Sequence, residues 1–118
     1  MNDGLGLNPT AKQPVDPVGG GKKRVFWMIY NLATGAVIES SAPASSFNSG
    51  GSTFQISTDL SAIIDTTKYV IKKEINSADY NTQITITSLT KTVFSVTTYV
   101  NGVATAASTG TVYLEIWA

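Results

Sequence analysis

The end of the chain constrains the fold most strongly, because residues 110–118 alternate between two kinds of side chain. The aliphatic positions are Val112, Leu114 and Ile116, and the positions between them are Tyr113, Glu115 and Trp117. A period of two is typical of a β-strand that buries one face and leaves the other in water or against a neighbour. We therefore expect the chain to end in a strand inside a sheet.

A two-residue turn precedes this strand. Asn101-Gly102 lies between two strand-like runs, residues 97–100 and 103–105. Both turn residues tolerate the positive φ angles of a type I′ turn, whose twist matches that of paired antiparallel strands. The sequence therefore predicts a β-hairpin at this point.

The start of the domain predicts a second hairpin. Residues 25–30 form a continuous apolar run, which indicates a strand covered on both faces or covered on one face by another subunit. Residues 31–35 predict a turn into a strand at residues 36–39, with Gly35 at the position that needs an unusual φ.

The middle of the chain alternates between strands and irregular segments. Residues 40–52 are mostly small, with one large side chain at Phe47, and predict a surface loop. Residues 58–65 are compatible with a short helical turn capped by Thr58 or Asp59 or with a strand, and we favour a turn followed by irregular chain. Strands are predicted at residues 53–57, 68–75, 80–89 and 92–100. About eight strands without a helix indicate an all-β fold, an antiparallel β-sandwich or jelly roll, over residues 24–118.

Composition excludes several classes of function. The 118 residues fit one domain, and eight basic side chains balance eight acidic ones, so no net field favours nucleic acid. Charged residues make up 14% of the chain, against roughly 25% in an average soluble domain. Because cysteine and histidine are absent, disulfides, thiolate nucleophiles, Cys/His zinc sites and Ser-His-Asp triads are excluded.

No cofactor, metal or catalytic residue is predicted. The eight carboxylates form no spaced pair of the kind that glycosidases use. Asp59 and Asp65 flank a predicted loop, but the D-x-D-x-D-G pattern of a calcium loop is missing. Residues 1–4 show neither the basic nor the apolar region of a secretory signal, so we expect none, and no apolar run reaches the roughly 18 residues that a membrane span needs. We expect synthesis in the cytoplasm and, for any function outside the cell, release by lysis or as part of a particle.

Residues 1–23 differ in composition from the rest, being rich in proline and glycine with few apolar groups. Such a segment cannot bury enough surface to fold alone. One interpretation is a floppy N-terminal tail, and the one that we favour is an extended, irregular arm that anchors the domain to a partner. Its candidate anchors are Leu5, Leu7, Val15 and Val18.

Aromatic side chains supply the candidate binding surface. The residues that we expect at an interface or a ligand face are Trp27, Phe47, Tyr113 and Trp117. Tyr and Trp are enriched at subunit interfaces, and they also stack on the apolar faces of sugars. A third reading places these rings in the core.

Several short motifs between Thr53 and Ala118 resemble the H-type lectin-like domain. They are Thr53-Phe54, Ile86-Thr87-Ser88-Leu89, Phe94-Ser95-Val96 and Ile116-Trp117-Ala118. In that family an early strand carries a Phe, a later strand reads I-T-S-x-x-F-x-V, and the closing strand ends in W-x-A or W-A. The resemblance implies a small antiparallel sandwich that trimerises and binds glycans, and similar domains occur at the tips of bacteriophage fibres.

The opening of the domain, residues 25–41, is similar to small phage structural proteins that begin with an aromatic strand and an x-x-T-G hairpin. Together these features predict a non-enzymatic virion component of a tailed phage, of the decoration or fibre type. Its expected partners are capsid or tail proteins and further copies of itself in a trimer, with neither nucleic acid nor a membrane span involved. The alternative is a carbohydrate-binding module that attaches to a host glycan.

Overall fold

The computed structural model describes residues 21–76 and 79–118. Within these residues the chain forms nine β-strands and no helix, so none of them lies in a helix able to cross a membrane. The strands are β1 (Arg24–Asn31), β2 (Val37–Ser40), β3 (Ala44–Gly50), β4 (Thr53–Thr58), β5 (Val70–Asn76), β6 (Thr82–Thr87), β7 (Val93–Val100), β8 (Val103–Ala104) and β9 (Thr111–Trp117).

The strands form two antiparallel sheets that pack face to face, as the predicted β-sandwich requires. The first sheet has four strands in the order β2-β1-β9-β5. The second has five strands, β3-β4-β7-β6 with β8 beside β7. The strand from residues 110–118 is confirmed as β9, and it lies between β1 and β5 inside the first sheet.

The core lies between the two sheets. The first sheet contributes alternate residues of its central strands, and the ring of Phe26 packs edge-on against that of Phe94 in the second. Because side chains alternate along a strand, one face of each sheet faces the core. The buried core comprises Phe26, Met28, Tyr30, Leu32, Ile56, Leu60, Ile63, Ile84, Phe94, Val96, Ala107, Val112, Leu114 and Ile116.

Both predicted turns are confirmed. Asn101 and Gly102 have φ angles of 51° and 81°, and they join β7 to β8. Gly35 has a φ of 78° between β1 and β2, and its missing side chain makes room for the ring of Phe54. The residue is therefore fixed by both its backbone conformation and its packing.

The prediction of a loop over residues 40–52 is wrong, because β3 occupies most of that segment. Its residues pair with β4 in register, with Ser46 opposite Ile56 and Phe47 opposite Gln55. Backbone hydrogen bonds to a well-formed neighbouring strand hold this edge strand, so it does not need the hydrophobic alternation that marks a strand in sequence. The segment that follows β4 is irregular as predicted, with Leu60 and Ile63 buried.

The apolar run at residues 25–30 is covered on one face by its own chain. Phe26, Met28 and Tyr30 are buried, whereas Trp27 and Ile29 on the opposite face are half-buried. The predicted strand at residues 68–75 begins at Val70, and Ile71 and Ile75 face the core without a slip in register.

The sheet begins one residue before β1. The backbone N–H of Lys23 donates to the carbonyl of Ala118 at 3.0 Å, and the N–H of Ala118 donates to that of Lys23 at 2.9 Å. The first and last described residues of the sandwich are thereby paired. Most of the predicted arm lies outside the described residues, including all four candidate anchors: Leu5, Leu7, Val15 and Val18.

Candidate interaction surface

The side of the first sheet that faces away from the core carries most of the aromatic residues that the sequence singled out. We call this surface the outer face. Cross-strand register sets Trp27 opposite Glu115 and Ile29 opposite Tyr113. On the other side of β9, Lys72 of β5 lies opposite Glu115 and Glu74 lies opposite Tyr113. The outer face comprises Arg24, Trp27, Ile29, Lys72, Glu74, Tyr113, Glu115 and Trp117.

Two aromatic rings lie at the centre of the outer face. The ring centroids of Trp27 and Tyr113 are 6.1 Å apart, and the ring planes are tilted by 36°. The two residues are diagonal neighbours on adjacent antiparallel strands, close enough for large side chains to pack. Both are half-buried, so each ring retains surface for a partner. With Ile29 they form an apolar strip across β1 and β9.

A carboxylate next to this strip, that of Glu115, accepts three side-chain hydrogen bonds. The Oε2 atom of Glu115 accepts from the Tyr113 hydroxyl at 2.7 Å and from Nη1 of Arg24 at 3.2 Å. Its Oε1 atom accepts from Nε1 of Trp117 at 2.9 Å. Nη1 of Arg24 also lies 3.2 Å from the Tyr113 hydroxyl oxygen. These contacts fix the rotamers of all four side chains, so the surface is ordered before any partner binds.

The same contacts decide the charge of the site. Burial alone raises the pKa of the Glu115 carboxyl, but hydrogen bonds from Trp117, Tyr113 and Arg24 outweigh it and hold that pKa below its usual value. Burial and the hydrogen bond to Glu115 raise the pKa of the Tyr113 hydroxyl. Glu115 is therefore ionised and Tyr113 neutral near neutral pH. A carboxylate in this condition is suited to orienting its neighbours and poorly suited to giving up a proton.

Trp117 and Phe47 occupy different surroundings from the other two candidates. Trp117 belongs to the outer face by register but is only 7% exposed, so its ring serves packing and its N–H serves Glu115. Phe47 is 65% exposed and lies on β3, on the side of the second sheet that faces away from the core. The structure therefore brings together Trp27, Tyr113 and Trp117 and places Phe47 on the opposite side of the sandwich.

A shallow depression adjoins Tyr113. Its walls come from β1, β5 and β9, and its volume is about 450 Å³. The lining residues are Ile29, Glu74, Ile75, Asn76, Thr111 and Tyr113. Carboxylate, amide and hydroxyl groups surround one aromatic ring here. Such a mixture can hydrogen-bond a polyhydroxylated ligand and also stack against it.

Asp59 and Asp65, in the irregular segment after β4, accept local hydrogen bonds that stabilise turns. Oδ1 of Asp59 accepts from the backbone N–H of Ser61 at 2.9 Å and from its hydroxyl at 2.6 Å. Asp65 makes the same pair of contacts with Thr67. These hydrogen bonds lower the pKa of both carboxyls and stabilise two Asx turns. Over residues 21–76 and 79–118, no three carboxylates converge in a way that could hold a metal ion.

Sequence reasoning missed Arg24 and Glu115 as parts of the site. Arg24 belongs to the basic triplet at residues 22–24, and that triplet shows no pattern that points to a partner at the far end of the chain. The available signal was the alternation of β9, which sets Tyr113, Glu115 and Trp117 on one face. A carboxylate between two aromatic residues of that face has donors within reach on both sides.

Comparison with known proteins adds no relative. No protein-family model, curated protein or solved structure matches the chain.

Proposed function

We propose that the chain is a non-enzymatic structural component of a bacteriophage particle, of the decoration or fibre type. In this proposal residues 1–23 dock the protein to a capsid or tail protein, and the β-sandwich is displayed on the particle. The outer face supplies the contact between the sandwich and its neighbours. The particle itself is inferred from the sequence resemblance described above.

The observation that carries the proposal is the apolar strip of Trp27, Ile29 and Tyr113. It lies on the outer face of a sheet, and aromatic residues are enriched at protein interfaces. The carboxylate of Glu115 accepts hydrogen bonds from the Tyr113 and Trp117 side chains, and holding these side chains in place lowers the entropic cost of binding. An aromatic surface next to a hydrogen-bonded charge supports a contact function better than proton transfer.

The domain boundary supports docking through the N-terminal segment. Lys23 is paired to Ala118 at the margin of the first sheet, so the chain enters the sandwich beside Arg24 and Trp117 on the outer face. An arm that leaves from this point and a partner that covers the outer face can belong to the same contact. Several copies on one particle would then add avidity to a modest single contact.

Particle incorporation tests the proposal. Cells producing the particle are supplied with the full chain, with a chain that lacks residues 2–21, or with Trp27→Ser, and purified particles are assayed by quantitative mass spectrometry. We expect both variants to fold and to be lost from the particles. The matched control is Ile64→Ser, which removes an 89% exposed side chain from the irregular segment and leaves occupancy unchanged. Wild-type occupancy by the truncated chain would overturn the docking role.

The depression beside Tyr113 favours a second candidate, a carbohydrate-binding module for attachment to a host glycan. Glu74, Asn76 and Thr111 provide hydrogen-bonding groups around the Tyr113 ring. The low charge of the chain and its many hydroxyl side chains also suit a sugar-binding surface. The two candidates differ in partner but use neighbouring parts of the outer face.

Glycan-array binding distinguishes the candidates. The module predicts a defined set of bound glycans, with binding abolished in Tyr113→Ala and retained in Tyr80→Ala, whose side chain is 80% exposed and lies outside the depression. Circular dichroism checks that both variants keep the fold. No binding across a broad array would reject this candidate and leave the structural one standing.

A further inference from the structure

The four edges of the two sheets differ in how they are guarded against other strands. An edge strand presents unpaired backbone groups, and natural proteins blunt such edges with charges, bulges or short strands. The edges here are β2 and β5 in the first sheet and β3 and β6 in the second. β2 lies beside β3 on one long side of the sandwich, and β5 lies beside β6 on the other.

The β5/β6 side is guarded by charge. β5 carries Lys72, Lys73 and Glu74 in succession. Lys73 lies opposite Leu114, so it starts on the core-facing side of β5, and its Nζ donates to the backbone carbonyl of Ile84 on β6 at 2.6 Å. An ammonium group therefore sits between the two edge strands. Any strand that approached this side would have to displace it.

β2 is guarded by its shape. It has four residues, and its pairing with β1 shifts in register between Ile29 and Tyr30. It also carries a charge, Glu39, and such a short and irregular strand is a poor template for another chain.

β3 shares only one of these features, a register shift near its end, and lacks the charges and the short length. It is seven residues long and contains no charged residue or proline. Its one large side chain, Phe47, is 65% exposed, and on the same long side of the sandwich Ile38 of β2 is 54% exposed. Two of the large apolar side chains that the described residues leave in water thus border this edge. The register shift between Asn48 and Gly50 leaves residues 44–48 as the regular part of the strand.

We propose that β3 is a dimerisation edge, where two copies of this chain pair β3 against β3 in antiparallel fashion about a two-fold axis. The two second sheets would then continue into each other. Phe47 of each copy would pack over the small side chains of the other strand, on the side away from the core. This contact does not depend on the particle proposed above.

Two properties of the molecule select a second copy as the occupant. The strand is uncharged and the chain has no net charge, so self-pairing sets no like charges against each other. In addition, β3 is the one long edge among the described strands that carries no charged residue and has no charged side chain bonded to it. A molecule with a single open edge forms a closed pair, whereas a molecule with two open edges would pair without end.

Light scattering on the full chain tests the proposal across a concentration series. We expect a concentration-dependent dimer whose dissociation constant rises about tenfold or more in Phe47→Lys, because the lost ring and the added charge count twice in a symmetric contact. Ile64→Lys makes the same chemical change at an exposed site away from β3 and should leave the dimer intact. Ser45→Lys is the second variant, should Phe47→Lys fail to fold.

Cross-linking locates the contact. Because the chain has no cysteine, Ser46→Cys places a single thiol at the centre of residues 44–48, near the proposed axis. Under mild oxidation by oxidised glutathione we expect a covalent dimer of Ser46→Cys, whereas Ala62→Cys on the irregular segment should form no covalent dimer. A monomer at every concentration, or an oligomer that Phe47→Lys and Ser45→Lys leave unchanged, would overturn the proposal. A trimer of the latter kind would assign assembly to another surface and leave the proposed particle function untouched.

Discussion

The two long sides of the sandwich differ in how their edge strands are protected against pairing with another chain. On the β5/β6 side, Lys73 spans the gap between the sheets and satisfies a backbone carbonyl of the opposite edge. On the β2/β3 side, β3 is neutral, and Phe47 and Ile38 remain in water. Both sides are built from the same kind of backbone, so the difference lies in the side chains. The bridge by Lys73 covers part of the β5/β6 side, whereas the backbone groups along the free edge of β3 remain available to another chain.

The largest expected loss of stability comes from a substitution at Gly35, in the turn that leads into β2. Gly35→Ala forces an alanine into a φ of 78° and drives its Cβ into the ring of Phe54. Adding the cost of that conformation to the cost of overpacking, we expect a loss of about 3 kcal/mol in the free energy of unfolding, measured by urea denaturation.

Gly102→Ala is the matched control for that substitution. Gly102 has a φ of 81°, but a Cβ there would meet no atom within 4 Å. We expect a loss of about 1 kcal/mol from backbone conformation alone. Equal losses of stability in the two variants would show that the clash between a Cβ at position 35 and the ring of Phe54 adds no cost.

Glu115 lies on β9, inside the first sheet and away from both long sides, so its substitution gives a stability change with which those at the two sides can be compared. Glu115→Gln should cost roughly 1–2 kcal/mol at pH 7, because the amide loses the charge and keeps only one acceptor oxygen, so its NH2 group faces an N–H donor of Trp117 or Arg24. The folded-state pKa of Glu115 lies below its usual value. Its contribution is therefore complete above the usual pKa and is lost as the pH falls through the folded-state pKa. Urea titrations between pH 7 and pH 3 should show the two proteins converging in stability, and a gap independent of pH would contradict this assignment.

A smaller loss of stability is expected from a substitution of Lys73 on the β5/β6 side. Lys73→Met keeps the apolar stem and removes the ammonium group, which leaves the Ile84 carbonyl without that donor. We expect a loss of about 1 kcal/mol. Lys72→Met removes the same charge from the outer face of β5 and should change stability by less than about 0.5 kcal/mol. The variant at Lys73 should also associate more readily, since it opens a second edge.

The smallest expected effect on stability belongs to the open edge. Phe47→Ser should change the free energy of unfolding by no more than about 0.5 kcal/mol, because the ring is largely exposed in the single chain. The same substitution should weaken self-association in light scattering. A loss of stability measured well below the dimer dissociation constant would show that Phe47 supports its own sheet instead of a partner.

The sequence by itself determined the elements whose signals are local. The alternation of residues 110–118 specified β9 and its buried face, and Asn101-Gly102 specified a turn through the φ angles that its residues accept. Gly35 was recognised for the same reason. The absence of helical periodicity, together with strands at short spacing, was enough to predict an antiparallel sandwich.

Tertiary structure decided where each strand lies and what its outer residues meet. The sequence of β3 predicts a loop because backbone hydrogen bonds to β4 hold this edge strand, and such bonds leave no pattern in its side chains. Trp117 is buried and Phe47 lies on the far side of the sandwich because pairing distant in sequence sets the strand order. The contact between Arg24 and Glu115 likewise exists only once the first strand lies against the last. Periodicity is a property of neighbours in sequence, whereas edges, faces and sites are properties of neighbours in space.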